Sequence, residues 1–288
     1  MSNLLIIDSN FIAYRAMLSM MGLSYEEHST GVIFGLMREI LKLSEDFEQP
    51  RFTFAWDSRK SYRRDVYPDY KKRPQVEDPE MEDIIRSGKP QFTEIRTKVL
   101  PKLGFQNNFI QTGLEADDII AHIANDHAWE FDHTYIVTSD EDLYQLLNSK
   151  VSIYNPREKK IYSKDDFIEE KGIDPNMWYY VKSVAGCSSD SVKGVVGVGE
   201  KTAIKYLKSE LGVSSKKYQD IHAFDPTFNY SLVKLPHKKS TPVDLVPDKL
   251  DFNVFEGICM DYGFSSFLKR DLYNKWRVLL KGDQNAID

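Results

Sequence analysis

Apolar residues along this chain gather into two kinds of run. Leu4-Leu5-Ile6-Ile7, Phe52-Thr53-Phe54-Ala55-Trp56 and Tyr135-Ile136-Val137-Thr138 are short, nearly continuous and rich in branched or aromatic side chains, which predicts strands buried on both faces. Each run ends on an acid: Asp8, Asp57 and, after Ser139, Asp140. The stretch from Val32 to Leu43 instead carries apolar residues at 32, 33, 36, 37, 40 and 41, the spacing of a helix. Strands alternating with helices predict an α/β fold built of βαβ units around a parallel sheet. In such a sheet the strand carboxyl ends share one edge, where ligands bind. Three aspartates spread from position 8 to position 140 are therefore expected along one edge.

The pattern changes after about residue 165. Strand-like runs become rare, and Trp178 to Ala185 and Thr202 to Leu211 read as helices. Residues 212–250 hold Pro226, Pro236, Lys238, Lys239, Pro242 and Pro247, the mark of loops around short helices. Glu256 to Leu280 reads as one or two closing helices. The expected organisation is an α/β domain over 1–165 and a mainly helical region over 166–288.

Composition narrows the classes. With 288 residues, 41% hydrophobic and 28% charged, the chain is of globular type and long enough for two domains. Leu4 to Ile7 is too short for a signal-peptide core, and no run approaches the roughly 18 apolar residues of a membrane span. A cytoplasmic location and no membrane partner are expected. Cys187 and Cys259 form no CxxC pattern, and the six His show no metal-ligand spacing, so neither a disulfide framework nor a zinc site is expected. The net charge of −6 argues against nucleic acid only if the acids are spread evenly.

They are not spread evenly. Gly113-Leu114-Glu115-Ala116-Asp117-Asp118 opens an apolar helix, and Ser139-Asp140-Glu141-Asp142 precedes Leu143, Leu146 and Leu147. Both fit helix starts, the first through a capping box of Thr112 with Glu115. Capping accounts for neither Asp8 nor Asp57, and converging carboxylates repel unless cations neutralise them. Oxygen ligands of this kind suit Mg²⁺ or Mn²⁺, and a pair of such ions hydrolyses phosphodiesters. A metal-dependent phosphoryl hydrolase is the reading of the residues themselves.

Two basic features complement it. Residues 59–73, RKSYRRDVYPDYKKR, hold seven Lys/Arg against two Asp, with Tyr62, Tyr67 and Tyr70 interleaved. That mixture suits a groove that tracks a phosphate backbone and stacks bases, and Arg15 could add a further phosphate contact. Lys193-Gly194-Val195-Val196-Gly197-Val198-Gly199-Glu200-Lys201-Thr202 is a glycine-rich turn in the helical half, with Lys205 beyond it. It reads as the hairpin between two helices, a layout that grips a duplex backbone without reading bases.

In these residues the chain resembles the 5′-nuclease superfamily: flap endonucleases, bacteriophage-type 5′→3′ exonucleases and the N-terminal nuclease domain of bacterial DNA polymerase I. The resemblance rests on IIDSN with Asp8, WDS with Asp57, YKKRP with Tyr70 and Lys71, GLEADD, TSDEDLYQLL and VAGCSSDSVKGVVGVGEKTA. It implies a PIN-like α/β domain, a helical arch at about 73–100 and a helix-three-turn-helix at about 182–210. Asp8, Asp57, Glu115 and Asp117 would surround a first Mg²⁺. Asp118, Asp140, Asp142 and Asp190 would serve a second, with Asp117 between the two and Mn²⁺ able to substitute. Lys71, with Arg63 or Arg64, would steer the scissile phosphate, and Tyr70 would stack on a base. Lys72, Arg73, Lys193, Lys201 and Lys205 would hold nucleic acid. Gly194, Gly197 and Gly199 would touch the duplex and bind K⁺ through backbone carbonyls. The implied substrates are nicked or branched DNA with a 5′ end or flap, or an RNA/DNA hybrid. The protein would act as a monomer in replication or repair beside a polymerase and single-strand-binding protein. The family pattern G-D-x-x-D-N reads Gly186-Cys187-Ser188-Ser189-Asp190-Ser191 here, and a neutral thiol is a poor Mg²⁺ ligand. That departure keeps open a branched-DNA-binding protein of impaired catalysis, and the carboxylates alone leave open a PIN-type ribonuclease. If eight acids belong to metal sites, 36 remain against 38 Lys+Arg, so the negative charge does not exclude a nucleic-acid substrate.

Overall fold

A computed structural model describes residues 2–72 and 77–281. Its described residues pack as two compact units, 2–56 with 77–109 and 244–281, and 57–72 with 110–243. Packing therefore does not part the chain at residue 165. The segment after Trp56 is laced by hydrogen bonds to residues 113–116, and the C-terminal stretch returns to the first unit, where Lys249 N–H donates to Gly104 O at 2.8 Å.

In the first unit β1 (Leu4–Asp8) pairs in parallel with β2 (Arg51–Trp56), from Leu4 opposite Arg51 to Asp8 opposite Ala55. Every β1 residue is buried, as a continuous apolar run demands. Asp8 closes the strand and caps α1 (Ser9–Ser19), its Oδ1 accepting the Phe11 N–H at 3.0 Å. Helix α2 (Gly31–Asp46) completes the crossover and buries Val32, Ile33, Leu36, Met37, Ile40 and Leu41, the apolar stripe read from the sequence. Gly35 lets α1 approach closely, since a Cβ there would lie 2.6 Å from that of Ala16. The first N–H groups of α2 find their partner in buried Gln91 on α3 (Pro79–Glu94), whose Oε1 accepts from Val32 and Ile33 at 3.0 and 3.2 Å. Of the expected arch, residues 73–76 lie outside the described residues. From 79 onward it is helical, with Glu80, Glu82 and Asp83 exposed. Helices Phe255–Asp261 and Arg270–Lys281 close the unit over buried Phe255 and Trp276.

The second unit holds α4 (Ala116–Asp126), then β3 (Thr134–Val137) parallel to β4 (Val151–Asn155), with β5 (Lys160–Tyr162) antiparallel at the far side. Beyond the helix Lys164–Lys171 come α5 (Trp178–Ala185) and α6 (Glu200–Leu207), and between them runs a hairpin of Gly186–Cys187 against Val192–Lys193. The helical hairpin predicted from the glycines is present, with Asp190 at the tip of its β-turn. Gly194 is required there, because a Cβ would fall 2.3 Å from Val184 O. Helix α7 (Thr227–Val233) ties the motif together: Asn229 Nδ2 donates to Ser183 O and Lys193 O at 2.7 and 2.9 Å. No helix among the described residues is long and apolar enough to cross a membrane.

Candidate metal centre and nucleic-acid interface

The second unit builds its acidic centre from backbone hydrogen bonds outward. Ser58 N–H donates to Leu114 O at 3.0 Å, Tyr62 N–H to Gly113 O at 2.8 Å, and Gly113 N–H to Ser58 Oγ at 3.0 Å. Gly113 has φ +87°, and a Cβ on it would enter the Tyr62 ring. This lacing sets Asp57 at the start of α4, where its Oδ1 accepts the Ala116 N–H at 2.8 Å. Asp57 keeps surface exposure, yet the protein packed around it displaces part of its hydration and holds its carboxyl above the ordinary value. The Ala116 bond and Lys71 oppose that shift, and repulsion from Glu115 and Asp118 adds to it. The helix cap differs from the expected Thr112–Glu115 box. Glu115 is the N-cap, and Asp118 Oδ2 accepts its N–H at 3.2 Å.

Two expected site residues serve the fold instead. Asp118 is fully buried and forms a two-pronged pair with Arg63, Nη1 to Oδ2 at 2.7 Å and Nη2 to Oδ1 at 2.8 Å. It also accepts the N–H of His237 at 2.8 Å. Burial raises the Asp118 carboxyl, but Arg63 and these donors outweigh it and hold the group below the usual range. Four hydrogen bonds occupy its oxygens, so it is not available as a second-metal ligand. Arg63, buried and also donating to Leu232 O at 2.8 Å, is likewise not available to a phosphate. Arg64, one position on, is exposed and donates to Tyr70 O. In the short helix Tyr62–Val66 consecutive residues point about 100° apart, so only one arginine can face inward.

Tyr70 also departs from expectation. Its ring is buried with Cys187, Val192, Leu232 and Val233, so it does not stack on a base. Its hydroxyl lies 3.1 Å from Glu115 Oε2 and 3.2 Å from Asp190 Oδ2, and burial with those two acids drives its pKa upward. Tyr67 donates to Ser191 O at 3.1 Å and Tyr62 stacks on His237. The three interleaved tyrosines fasten the basic segment to the protein. Lys71 has φ +49°, a conformation rarely adopted by a non-glycine residue. Its N–H donates to Asp190 O, and its Nζ reaches Glu115 Oε2 at 2.9 Å and lies 3.9 Å from Asp190 Oδ1. Burial works against its charge, but Glu115, Asp117 and Asp190 together keep the ammonium protonated well above its ordinary range.

The remaining acids meet on the other side of Asp190. Asp140, itself exposed, caps the 3₁₀ turn after β3, accepting the Asp142 N–H at 2.8 Å, and partial desolvation by the surrounding protein with the charge of Asp142 holds its carboxyl above the ordinary value. Ligand atoms of Asp142, Cys187 and Asp190 lie within 4.8 Å of one another. Burial, with repulsion from Asp142, Glu115 and Asp140 against attraction from Lys71, raises Asp190 to about 6. Burial and Asp142 push the Cys187 thiol up to about 11, keeping it neutral. Lys182 was missed by the sequence reading. Its Nζ lies 3.1 Å from Asp142 Oδ1 and 3.4 Å from Glu200 Oε1. Its signal was its place on α5, five residues before Cys187.

The other predicted contacts are scattered. Lys72, Lys193, Lys201 and Lys205 are exposed, Lys72 pairing with Asp69 at 3.2 Å. Gly197 has φ +73°, and Gly199 caps α6 with its carbonyl accepting from Thr202 and Ala203. In the first unit Arg15 pairs with Glu39 at 3.4 Å. Arg73 lies outside the described residues.

Acidic oxygens crowd about a charged lysine on an α/β scaffold, an arrangement whose mutual repulsion a bound cation would relieve. The sequence pattern of the family described as 5′-3′ exonuclease, N-terminal resolvase-like domain, matches residues 3–172. The chain is 33% identical over 217 residues to the 5′-3′ exonuclease of Bacillus subtilis, a match spanning 72% of this chain and 70% of that protein. It is 31% identical to the thermostable DNA polymerase I of Thermus thermophilus over 71% of this chain, which is 24% of the polymerase. Its fold is that of the bacteriophage T5 flap endonuclease, solved as a pseudo-enzyme–product complex with DNA and metal ions. The TM-score is 0.66 at 20% identity, over 97% of this chain and 98% of that one. The chain belongs to the 5′-3′ exonuclease family, within the 5′-nuclease superfamily, and is a nuclease.

Proposed function

We propose that this nuclease hydrolyses phosphodiesters next to a 5′ end, flap or nick in DNA, including RNA primers annealed to a template, in replication or repair in a bacterial or phage-infected cytoplasm. The observation that carries this reading is Lys71, held in a strained conformation with its ammonium 2.9 Å from Glu115 and in the field of Asp117 and Asp190. Asp57, Glu115 and Asp117 offer only oxygen donors, which fits Mg²⁺ or Mn²⁺. Asp8 joins them by the family resemblance alone. A divalent ion held there supplies an activated water and charge stabilisation at the phosphate. Lys71 binds a non-bridging oxygen of the scissile phosphate and orients it, leaving Glu115 to the metal.

Arg64 and Lys72 follow the backbone of the strand entering the centre. The 166–288 region, through Lys193, Lys201, Lys205 and the N–H groups at the start of α6, grips duplex phosphates, so shape and not sequence selects the substrate. K⁺ would sit on the Gly194 and Gly197 carbonyls; Gly199 already accepts two helix N–H groups. An arch carried by the helix from Pro79 onward would admit the single-stranded 5′ end, with a polymerase and single-strand-binding protein as replication partners of a monomer.

The test is cleavage of a 5′-flap and a nicked duplex with Mg²⁺, with product mapping, for the native protein, Asp8→Ala and Asp117→Ala. Native activity in both variants would overturn the metal assignment. The second reading, a branched-DNA binder of impaired catalysis, is favoured by the neutral Cys187 thiol among the acids; tight binding of flap DNA with no Mg²⁺- or Mn²⁺-dependent product would establish it. A single-strand ribonuclease would be left uninhibited by competing duplex DNA.

A further inference from the structure

The segment that follows Asp57 carries Arg59 and Lys60, and a loop far along the chain carries Lys238 and Lys239; all four side chains are exposed. Tyr62 joins the two segments. Lys239 Nζ stands 4.0 Å from the centroid of its ring, and the His237 imidazole stacks on it with centroids 6.2 Å apart. Both segments are tied down. Lys60 N–H donates to Ser58 Oγ at 3.2 Å, and Ser58 N–H donates in turn to Leu114 O. In the loop, His237 N–H donates to buried Asp118 at 2.8 Å. Gln111 engages both backbone groups of Thr241, accepting its N–H at 3.0 Å and donating to its carbonyl at 2.6 Å. None of the four basic side chains has an ion-pair partner among the described residues. Lys72, Lys98 and Lys208, by contrast, lie on Asp69, Glu94 and Glu210.

We propose that Arg59, Lys60, Lys238 and Lys239 form a second phosphate-binding surface, sharing no residue with the glycine hairpin, that holds the sugar–phosphate backbone of the nucleic acid close to the cut. The proposal rests on the reading of this chain as a nuclease and says where its substrate lies. Unpaired cations attract a polyanion and release its counterions, and they carry no pattern of groups that reads bases. Three residues of chain beyond Asp57 reach at most about 10 Å. A duplex strand advances about 3.4 Å per nucleotide, so the phosphates met by Arg59 and Lys60 lie within a few nucleotides of the acids. The hydrogen bonds fix the loop before substrate arrives, so less ordering entropy opposes the contact.

Binding of a fluorescent nicked duplex with a 5′ flap to the full chain is followed by anisotropy over a salt series, without added Mg²⁺. Lys238→Ala combined with Lys239→Ala should weaken binding severalfold and lower the slope of log K against log salt by about 2. Lys238→Arg combined with Lys239→Arg should keep the native slope, which a merely structural role for the loop would not require. Hydroxyl-radical footprints should show the alanine pair uncovering backbone positions near the nick that Lys193→Ala with Lys201→Ala leaves protected. A native slope in the alanine pair would overturn the proposal, and polyglutamate binding lost at the same time would give the surface to an acidic protein partner instead. Footprints that match those of the hairpin variant would overturn it too. Should the alanine pair not fold, Lys238→Ala alone serves, with a slope lower by about 1. Native protein that binds the flap but yields no Mg²⁺- or Mn²⁺-dependent product would sink the nuclease reading and leave the surface standing; native protein that binds no nucleic acid would sink both.

Discussion

Asp118 and Asp190 belong to the same compact unit, both are buried, and both have a basic side chain beside them, yet they end at opposite electrostatic states. Asp118 receives two guanidinium bonds and two backbone N–H groups, and its carboxyl is pulled below the usual range. Asp190 has a tyrosine hydroxyl and a lysine at 3.9 Å, faces three other acids, and is raised to about 6. Burial therefore does not decide a carboxylate's role; the supply of donors does. A fully satisfied acid is an anchor for the fold. A crowded, under-donated one is a site waiting for positive charge, and such sites are where function concentrates.

Removing Asp118 tests the anchor end of the contrast and should give the largest effect on stability. Asp118→Ala leaves Arg63 charged and buried, at a cost of about 3–5 kcal/mol, read as a lower urea midpoint. A change below about 1 kcal/mol would show that the pair is not the anchor it resembles. Asp117→Ala should do the reverse, lowering single-turnover cleavage at least about a hundredfold with Mg²⁺ while moving the midpoint little. If Asp117→Ala instead unfolds the protein, the two classes of acid are not distinct.

The pH dependence sharpens the comparison further. Asp190 binds a proton more tightly in the folded chain, at about 6, than at the ordinary carboxylate value of 3.8. Between those values the native state holds more protons, so this group's contribution to stability of the metal-free protein falls as pH rises from about 4 to 6. Asp190→Asn, which keeps an acceptor for Tyr70, should therefore be more stable than the native protein at pH 7 by about 3 kcal/mol, and the gap should close below pH 4. A gap that does not change with pH would refute the assignment. The smallest effect is expected far from the acids. Lys193→Ala with Lys201→Ala should weaken duplex binding at moderate salt and lower the slope of log K against log salt by up to about 2, without slowing cleavage of pre-bound substrate.

Much of this contrast could be read from the order of residues. The runs ending at Asp8, Asp57 and Asp140 became β1, β2 and β3, because a continuous apolar stretch of strand length has few other ways to leave water. The 32–41 stripe became the buried face of α2, and the glycines at 194 and 199 fell between two helices, as their spacing required. The roles of individual side chains were less legible. Arg63 and Arg64 are chemically alike neighbours, and only the rotation of a one-turn helix sends one inward to Asp118 and the other to solvent. Tyr70 looked like a stacking platform, since nothing in its local sequence reveals that Glu115 and Asp190 wait 45 and 120 residues away for its hydroxyl.

The order of residues set the inventory: strands ending in acids, a basic segment after the second, a glycine hairpin between helices, and a thiol at position 187. These follow from local periodicity, turn chemistry and residue type, all of which act over a few residues. Allegiance came from the fold, which gave Arg63 to Asp118, Lys71 to Glu115 and Lys182 to Asp142. Charge pairing depends on distances of a few ångströms between residues far apart in the chain. Coulomb energy and desolvation are therefore settled by where the fold sets the groups, not by their order along it.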